Sequence, residues 1–257
     1  MTVVRPKKFL GQHFLHDKNI AEKISMCLSG HGNYKDVLEI GPGTGVLTKY
    51  LLQNNPYNTL HIEIDAEAYT YLCEQYPSIR EKIILGDFLK FDIKKYFKQP
   101  FAVIGNFPYN ISSQILFKVF ENRDMVPELV GMFQKEVAER IASKPGSKKY
   151  GILSVLLQAF YEIEYLFTVS PNVFYPPPKV QSAVIRLKRN ARLQLPCDAN
   201  KFTEVVKKAF NQRRKTLRNS LKALVTNPDL LSMSVFNQRP EQLSVEEFIE
   251  ITKTVYC

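Results

Sequence analysis

The 257-residue chain has no tryptophan and only four cysteines, Cys27, Cys73, Cys197 and Cys257. The cysteines are far apart, form no CxxC pair and have no histidine set beside them at metal-ligand spacing. Neither a zinc site nor a disulfide framework is expected, so no metal is assigned. The thiols read as reduced ones in a cytoplasmic protein. Long apolar runs are absent too: nothing approaches the ~20 residues that span a bilayer. Met1 to Lys18 lacks the apolar stretch and small-residue cleavage site of a secretory signal. No membrane partner is expected. Acid is scarce relative to base, with 25 Asp and Glu against 35 Lys and Arg and a formal net charge of +10. That imbalance favours a polyanion, nucleic acid or an anionic surface, and charge alone does not choose between them.

Internal repeats and low-complexity tracts are also missing. Between Asp36 and about Leu187, short β-branched or apolar runs alternate with segments of helical spacing. The candidate strands are Val37–Ile40, Thr59–Ile64, Lys82–Leu85, Phe101–Gly105, Leu129–Gln134, Ile163–Thr168 and Ala183–Leu187. Helices fit between the first five, as at Gly45–Gln53, Glu67–Gln75 and Ser112–Phe120. This alternation predicts an α/β fold around one seven-stranded, mostly parallel sheet. The prolines from Pro171 to Pro178 exclude helix and central strand there. After about Asn190 no strand signal remains, and helices are expected at Lys201–Leu224, Pro228–Ser232 and Ser244–Thr254. The expected domains are therefore 1–189, α/β, and 190–257, a small helical appendage.

Val37-Leu-Glu-Ile-Gly-Pro-Gly-Thr-Gly45 ends the first strand and opens a helix. Its glycines let the backbone turn sharply and approach a ligand without a Cβ in the way. A dinucleotide fold presents nearly the same string. Glu63 closes the second strand, where a carboxylate can accept from both ribose hydroxyls. Asp87 follows the third, where a carboxylate can accept from an adenine amine. Neither GKS nor GKT is present, and no lysine lies between Val37 and Leu47. An adenosine cofactor without phosphates fits better than ATP or NAD.

The fourth strand ends in Asn106-Phe107-Pro108-Tyr109. An adenine exocyclic amine is a poor nucleophile because its lone pair is delocalised into the ring. Two acceptors holding its hydrogens draw the nitrogen toward tetrahedral geometry. The Asn106 side chain and the Phe107 backbone supply two, Pro108 stiffens the loop, and the Tyr109 ring face stacks on an extruded base. Positioning then carries most of the catalysis. On this reading the Tyr109 hydroxyl has no task.

With these residues in view, the chain resembles the ribosomal RNA adenine dimethyltransferases, specifically the bacterial type acting on small-subunit RNA. The match runs from Lys8 to about Leu224. Lys8-Phe-Leu-Gly-Gln-His-Phe-Leu15 is similar to the family's FGQNFL segment, with His13 in place of Asn, and Phe107 replaces the commoner Leu. Phe174-Tyr-Pro-Pro-Pro-Lys-Val-Gln-Ser182 is similar to the family's F-x-P-x-P-K-V-x-S block. The resemblance implies a class I, Rossmann-like methyltransferase fold with S-adenosylmethionine as cofactor. It implies dimethylation of two adjacent adenosines near the 3′ end of small-subunit ribosomal RNA, within a precursor particle during ribosome biogenesis. A monomer is expected. The candidate cofactor set is Gln12, His13, Leu15, Gly41, Gly43, Glu63, Ile64, Asp87, Phe88 and Asn106. From the residues alone Phe174, on a proline-stiffened loop, reads equally as a buried anchor; by resemblance it covers the target adenine on the face opposite Tyr109, completing the catalytic set with Asn106, Phe107 and Pro108. An antibiotic-resistance methyltransferase of large-subunit RNA and a non-catalytic RNA-binding relative are the alternatives.

Lys207 to Leu224 carries seven cations and no acid. On one continuous helix, Lys207, Lys208, Arg214, Lys215, Arg218 and Lys222 fall opposite an apolar stripe of Val206, Phe210, Leu217, Leu221 and Leu224. An all-basic face favours phosphate contact over a merely solvated surface. These six are the candidate RNA-binding residues.

Overall fold

The computed structural model describes residues 4–54 and 56–256. Met1 to Val3, part of the segment read for a secretory signal, and Cys257 lie outside the described residues. Cys27, Cys73 and Cys197 are free thiols. The chain divides into two compact units, Met1–Ala138 with Ile163–Arg189, and Glu139–Glu162 with Asn190–Cys257. The residue 189/190 division is one of these cuts. Residues 139–162 also group with the C-terminal residues, which the reading of 1–189 as one domain did not separate.

In chain order the first unit contains β1 (Phe14–Leu15), α1 (Lys18–Ser25), β2 (Asp36–Ile40), α2 (Val46–Asn54), β3 (Asn58–Glu63) and α3 (Ala66–Gln75). There follow β4 (Ile83–Leu85), α4 (Ile93–Tyr96), β5 (Phe101–Asn106), α5 (Ser112–Glu121), β6 (Glu128–Gln134) and α6 (Lys135–Ala142), whose last four residues, from Glu139, belong to the second unit. β7 (Tyr161–Val169), β8 (Phe174–Tyr175) and β9 (Ser182–Arg189) complete the strands. Seven of them form one sheet in the order β4-β3-β2-β5-β6-β9-β7. The pairs β2·β3, β3·β4, β2·β5 and β5·β6 are parallel, and β6·β9 is antiparallel. Val37, Leu38 and Ile40, and all of Phe101 to Ile104, are buried. Continuous apolar burial of this kind is what a parallel strand covered on both faces requires.

The chain leaves β2 toward β3 on one side and reaches β5 on the other. Strand order thus reverses between β2 and β5, and the crevice beyond their carboxyl ends is where ligands bind in open α/β sheets. The glycine turn and Asn106 both sit there. β1 and β8 form a separate antiparallel ribbon that pairs Phe14 with Tyr175 and Leu15 with Phe174.

The second unit is helical, with α7 (Ile152–Gln158), α8 (Ala199–Asn211), α9 (Leu217–Ser220) and α10 (Val245–Tyr256). The expected continuous helix over Lys201–Leu224 is not formed: α8 ends at Asn211 and α9 starts at Leu217. Residues 212 to 216, Gln-Arg-Arg-Lys-Thr, hold no apolar side chain, so no buried face holds a helical turn in place. Leu217 of the second, short helix and Leu221 just after it are buried instead, and the Leu217 N–H donates to the Gln238 carbonyl at 2.9 Å. Among the described residues no helix is long and apolar enough to cross a membrane.

Candidate functional site

A cleft of about 690 Å³, open to solvent, lies at the strand reversal. It is lined by residues of the N-terminal arm (Gln12, His13), the glycine turn (Gly41, Gly43), the ends of β3 and β4 (Glu63, Ile64, Asp87, Phe88) and Asn106 to Tyr109. Leu15 is buried in the core and borders a smaller adjoining cavity with Glu39, Gly41 and Asn106.

Gly41 has φ +65°, and a Cβ built on it meets nothing within 4 Å. The space above the turn is open to a ligand. Glu63 is 2% exposed, and its two oxygens accept separate backbone N–H groups, Gly43 at 2.8 Å and Asp65 at 2.9 Å. Burial pushes its carboxyl above the ordinary carboxylate range, and the backbone donors oppose that shift. The Ile64 backbone N–H adds to these donors. Asp87 is half-buried; its Oδ1 accepts from the Leu89 N–H at 2.9 Å, leaving the second oxygen available. Beneath the glycine turn, Glu39, Thr48 and His61 are all buried. Thr48 donates to Glu39 at 2.7 Å and His61 Nδ1 lies 2.7 Å from the same oxygen, so β3 and α2 are tied to β2.

The turn after β4 is held by Lys118 of α5. Its ammonium donates to the carbonyls of Phe88 at 2.6 Å, Leu89 at 3.0 Å and Phe91 at 2.6 Å. Burial lowers the Lys118 pKa, countered by the nearby carboxylates, first Asp87. Lys118 thereby fixes the backbone beside Asp87 and Phe88.

The N-terminal arm is tethered to Asp65, two residues beyond Glu63. Lys7 Nζ lies 2.5 Å from one Asp65 oxygen and Gln12 Nε2 donates to the other at 3.0 Å. These bonds hold the Asp65 carboxyl below the ordinary carboxylate range despite desolvation. Gln12 Oε1 also accepts the Lys7 N–H at 2.7 Å, so both ends of that side chain are used within the protein.

At the end of β5, Asn106 Nδ2 donates to the His13 carbonyl at 3.0 Å, which leaves Oδ1 as its free acceptor. The Phe107 N–H donates to Met132 O at 3.2 Å. Its ring is buried in a slot made by two glycines. A Cβ on Gly131 would stand 2.2 Å, and one on Gly105 2.7 Å, from ring atoms of Phe107. The ring is therefore structural, and the backbone is what Phe107 brings to the cleft. The Tyr109 ring lies 5.4 Å from the His13 ring at an interplanar angle of 29°, and its hydroxyl is 2.5 Å from the buried Ser182 Oγ. The hydroxyl thus has a partner that the sequence reading did not provide.

Phe174 is the one member of the expected catalytic set placed elsewhere. It is 2% exposed and packs in the core with Leu15, Met132 and Val184. Its register pairing with Leu15 turns it inward, so in this conformation neither ring face is open to a base. All six candidate RNA-binding cations are exposed, Lys207 and Lys208 on α8, Arg218 on α9, and Arg214, Lys215 and Lys222 outside both helices. Their common helical face is lost with the helix break. Asp65, Lys118 and Ser182 escaped the sequence reading, and only the register of the FxPxPKVxS block pointed at Ser182.

The profile of a family described as ribosomal RNA adenine dimethylase matches residues 3–255. The ribosomal RNA small subunit methyltransferase A of Cytophaga hutchinsonii is 58% identical over 252 residues, covering 98% of both chains. That of Flavobacterium johnsoniae is 60% identical over 256 residues, covering 99% of this chain and 97% of its own. Among solved structures, a dimethyladenosine transferase from Plasmodium falciparum superposes with TM-score 0.78 at 25% identity, covering 94% of this chain and 98% of that one. The 23S rRNA methyltransferase ErmE superposes with TM-score 0.68 at 26% identity, covering 93% and 99%.

Proposed function

Because the chain belongs to the ribosomal RNA adenine dimethylase family, we propose that it dimethylates the exocyclic amines of two adjacent adenosines near the 3′ end of small-subunit ribosomal RNA. The observation that carries this reading is the meeting of Glu63, Asp87 and Asn106–Tyr109 in one cleft at the strand reversal. The residues present fit S-adenosylmethionine. Glu63 offers two acceptors to a ribose, Asp87 one to an adenine amine, and the open face of Gly41 leaves room for a chain running toward Asn106. When bound, that cofactor supplies an electrophilic methyl on a sulfonium.

Asn106 Oδ1 and the Phe107 carbonyl accept the two hydrogens of the target amine and raise its nucleophilicity by drawing it toward tetrahedral geometry. Tyr109 offers its ring face to the extruded base, and Ser182 and His13 hold that ring in place. The basic residues 207, 208, 214, 215, 218 and 222, within a helical RNA-binding domain from residue 190, take RNA phosphates. The protein acts in the cytoplasm as a monomer, on a small-subunit precursor particle.

Mass spectrometry of nucleosides from both ribosomal RNAs, with and without the protein, tests the reading. N6,N6-dimethyladenosine should disappear from the small-subunit RNA of cells lacking the protein and return on incubation with protein and S-adenosylmethionine. An unchanged content, or loss only from the large-subunit RNA, refutes it.

A further inference from the structure

Among the described residues, Phe9 and Tyr175 are the only Phe or Tyr side chains more than half exposed, at 78% and 66%. Each leaves burial free energy unused, and a single exposed ring needs no explanation. Their placement does. Phe9 immediately precedes Leu10, which lines the cleft, and Tyr175 pairs in register with Phe14, which lines it too. Alternation along the two-stranded ribbon turns Phe174 inward and Tyr175 outward.

The next residue, Pro176, presents its carbonyl 2.7 Å from His13 Nδ1, and the His13 ring stacks on Tyr109. Tyr175 is thus two contacts removed from the ring that receives the target base. A lysine accompanies each aromatic, Lys8 beside Phe9 and Lys179 four residues beyond Tyr175. Both are exposed, and neither is in an ion pair among the described residues.

We propose that Phe9 and Tyr175 form a stacking platform at the cleft rim for the nucleotides flanking the target adenosine, with Lys8 and Lys179 taking the adjoining phosphates. The ligand class is single-stranded RNA with unstacked bases. Extruding one base deprives its neighbours of a stacking partner, and an aromatic face replaces that partner without regard to base identity. The idea rests on the adenosine-methylation reading for its site, and its test is separate from methylation.

Fluorescence anisotropy is measured with two dye-labelled probes of equal length, a single-stranded oligoadenylate and an abasic ribose–phosphate chain. The full-length parent should bind the oligoadenylate more tightly. Phe9→Ala and Tyr175→Ala should each weaken oligoadenylate binding by about tenfold and leave abasic binding unchanged. Lys8→Gln/Lys179→Gln should weaken both probes and flatten the salt dependence. Unchanged S-adenosylmethionine affinity by calorimetry certifies the fold of each variant. Equal binding of the two probes by the parent, or oligoadenylate binding by both aromatic variants as tight as the parent's, overturns the platform. A parent that discriminates the probes and yet transfers no methyl to small-subunit precursor particles leaves the platform standing and refutes the methylation reading.

Discussion

Glu63→Gln is the most informative perturbation of the cofactor cleft, because it changes charge and not size. In the parent the two carboxylate oxygens face two backbone donors, Gly43 at 2.8 Å and Asp65 at 2.9 Å. An amide has one oxygen, so its NH₂ must meet one of these N–H groups donor to donor. It also loses one of the two acceptors proposed for the ribose. The first loss acts on stability: a buried donor left unpaired costs about 1–3 kcal/mol, offset by no longer burying a charge. The second acts on binding: a hydrogen bond to a charged group is worth about 1.5–3 kcal/mol, or about 10- to 150-fold in Kd. Calorimetric titration with S-adenosylmethionine should show that loss. The pH dependence gives a second readout. Burial raises the Glu63 pKa above its ordinary 4.5, so parent affinity should start to fall while pH is still above that value. The glutamine variant should lack this limb. The stability sign is opposite: a raised acid pKa favours the folded state below the unfolded value, and that contribution is lost as pH rises through the folded pKa. A variant that binds as tightly as the parent, with the same pH profile, would refute the assignment of Glu63.

Asn106→Ala should lower the single-turnover methyl-transfer rate by about 100-fold, near 2.7 kcal/mol, with little change in RNA affinity; normal transfer ends the amine-positioning mechanism. Tyr109→Phe leaves the buried Ser182 hydroxyl without its partner and should reduce turnover several-fold. Ser182→Ala should do the same and the double variant no worse, since both remove one bond; additive losses would assign the hydroxyl a separate task. Arg214→Ala/Lys215→Ala/Arg218→Ala should flatten the log–log salt dependence of RNA binding by about 0.7 for each phosphate no longer neutralised. An unchanged slope places the phosphate-binding surface elsewhere.

The sheet was legible because each strand announces itself locally. Val37–Ile40 and Phe101–Gly105 are apolar runs bounded by turn residues, and both appear in β2 and β5. Glu63 and Asp87 were legible for the same reason, as polar residues where apolar runs stop. The two-residue strands β1 and β8 are too short to carry a period. The break between α8 and α9 was hidden because a wheel drawn through Lys201–Leu224 places the leucines correctly whether or not the turn between them exists. What matters there is that residues 212 to 216 have nothing to bury. Local spacing left Phe174 open between a base-covering ring and a buried anchor, and only its pairing with Leu15 turns it in. Asp65, Lys118 and Ser182 act through partners 27 to 73 residues away, and such long-range pairing leaves no mark on local spacing.

The Asp65 tether joins the N-terminal arm to Glu63, the carboxylate proposed for the cofactor. Asp65 gives one oxygen to Lys7 and the other to Gln12, while its own N–H holds Glu63. If Glu63 takes the ribose as proposed, a pull on the arm would be felt at that carboxylate, and an occupied cleft would hold the arm down by the same bonds. Thermodynamic linkage makes the two effects equal. The arm then works as a built-in reporter: a protease site engineered before Lys7 would be cut more slowly as S-adenosylmethionine saturates the cleft, with a midpoint at the cofactor's own Kd.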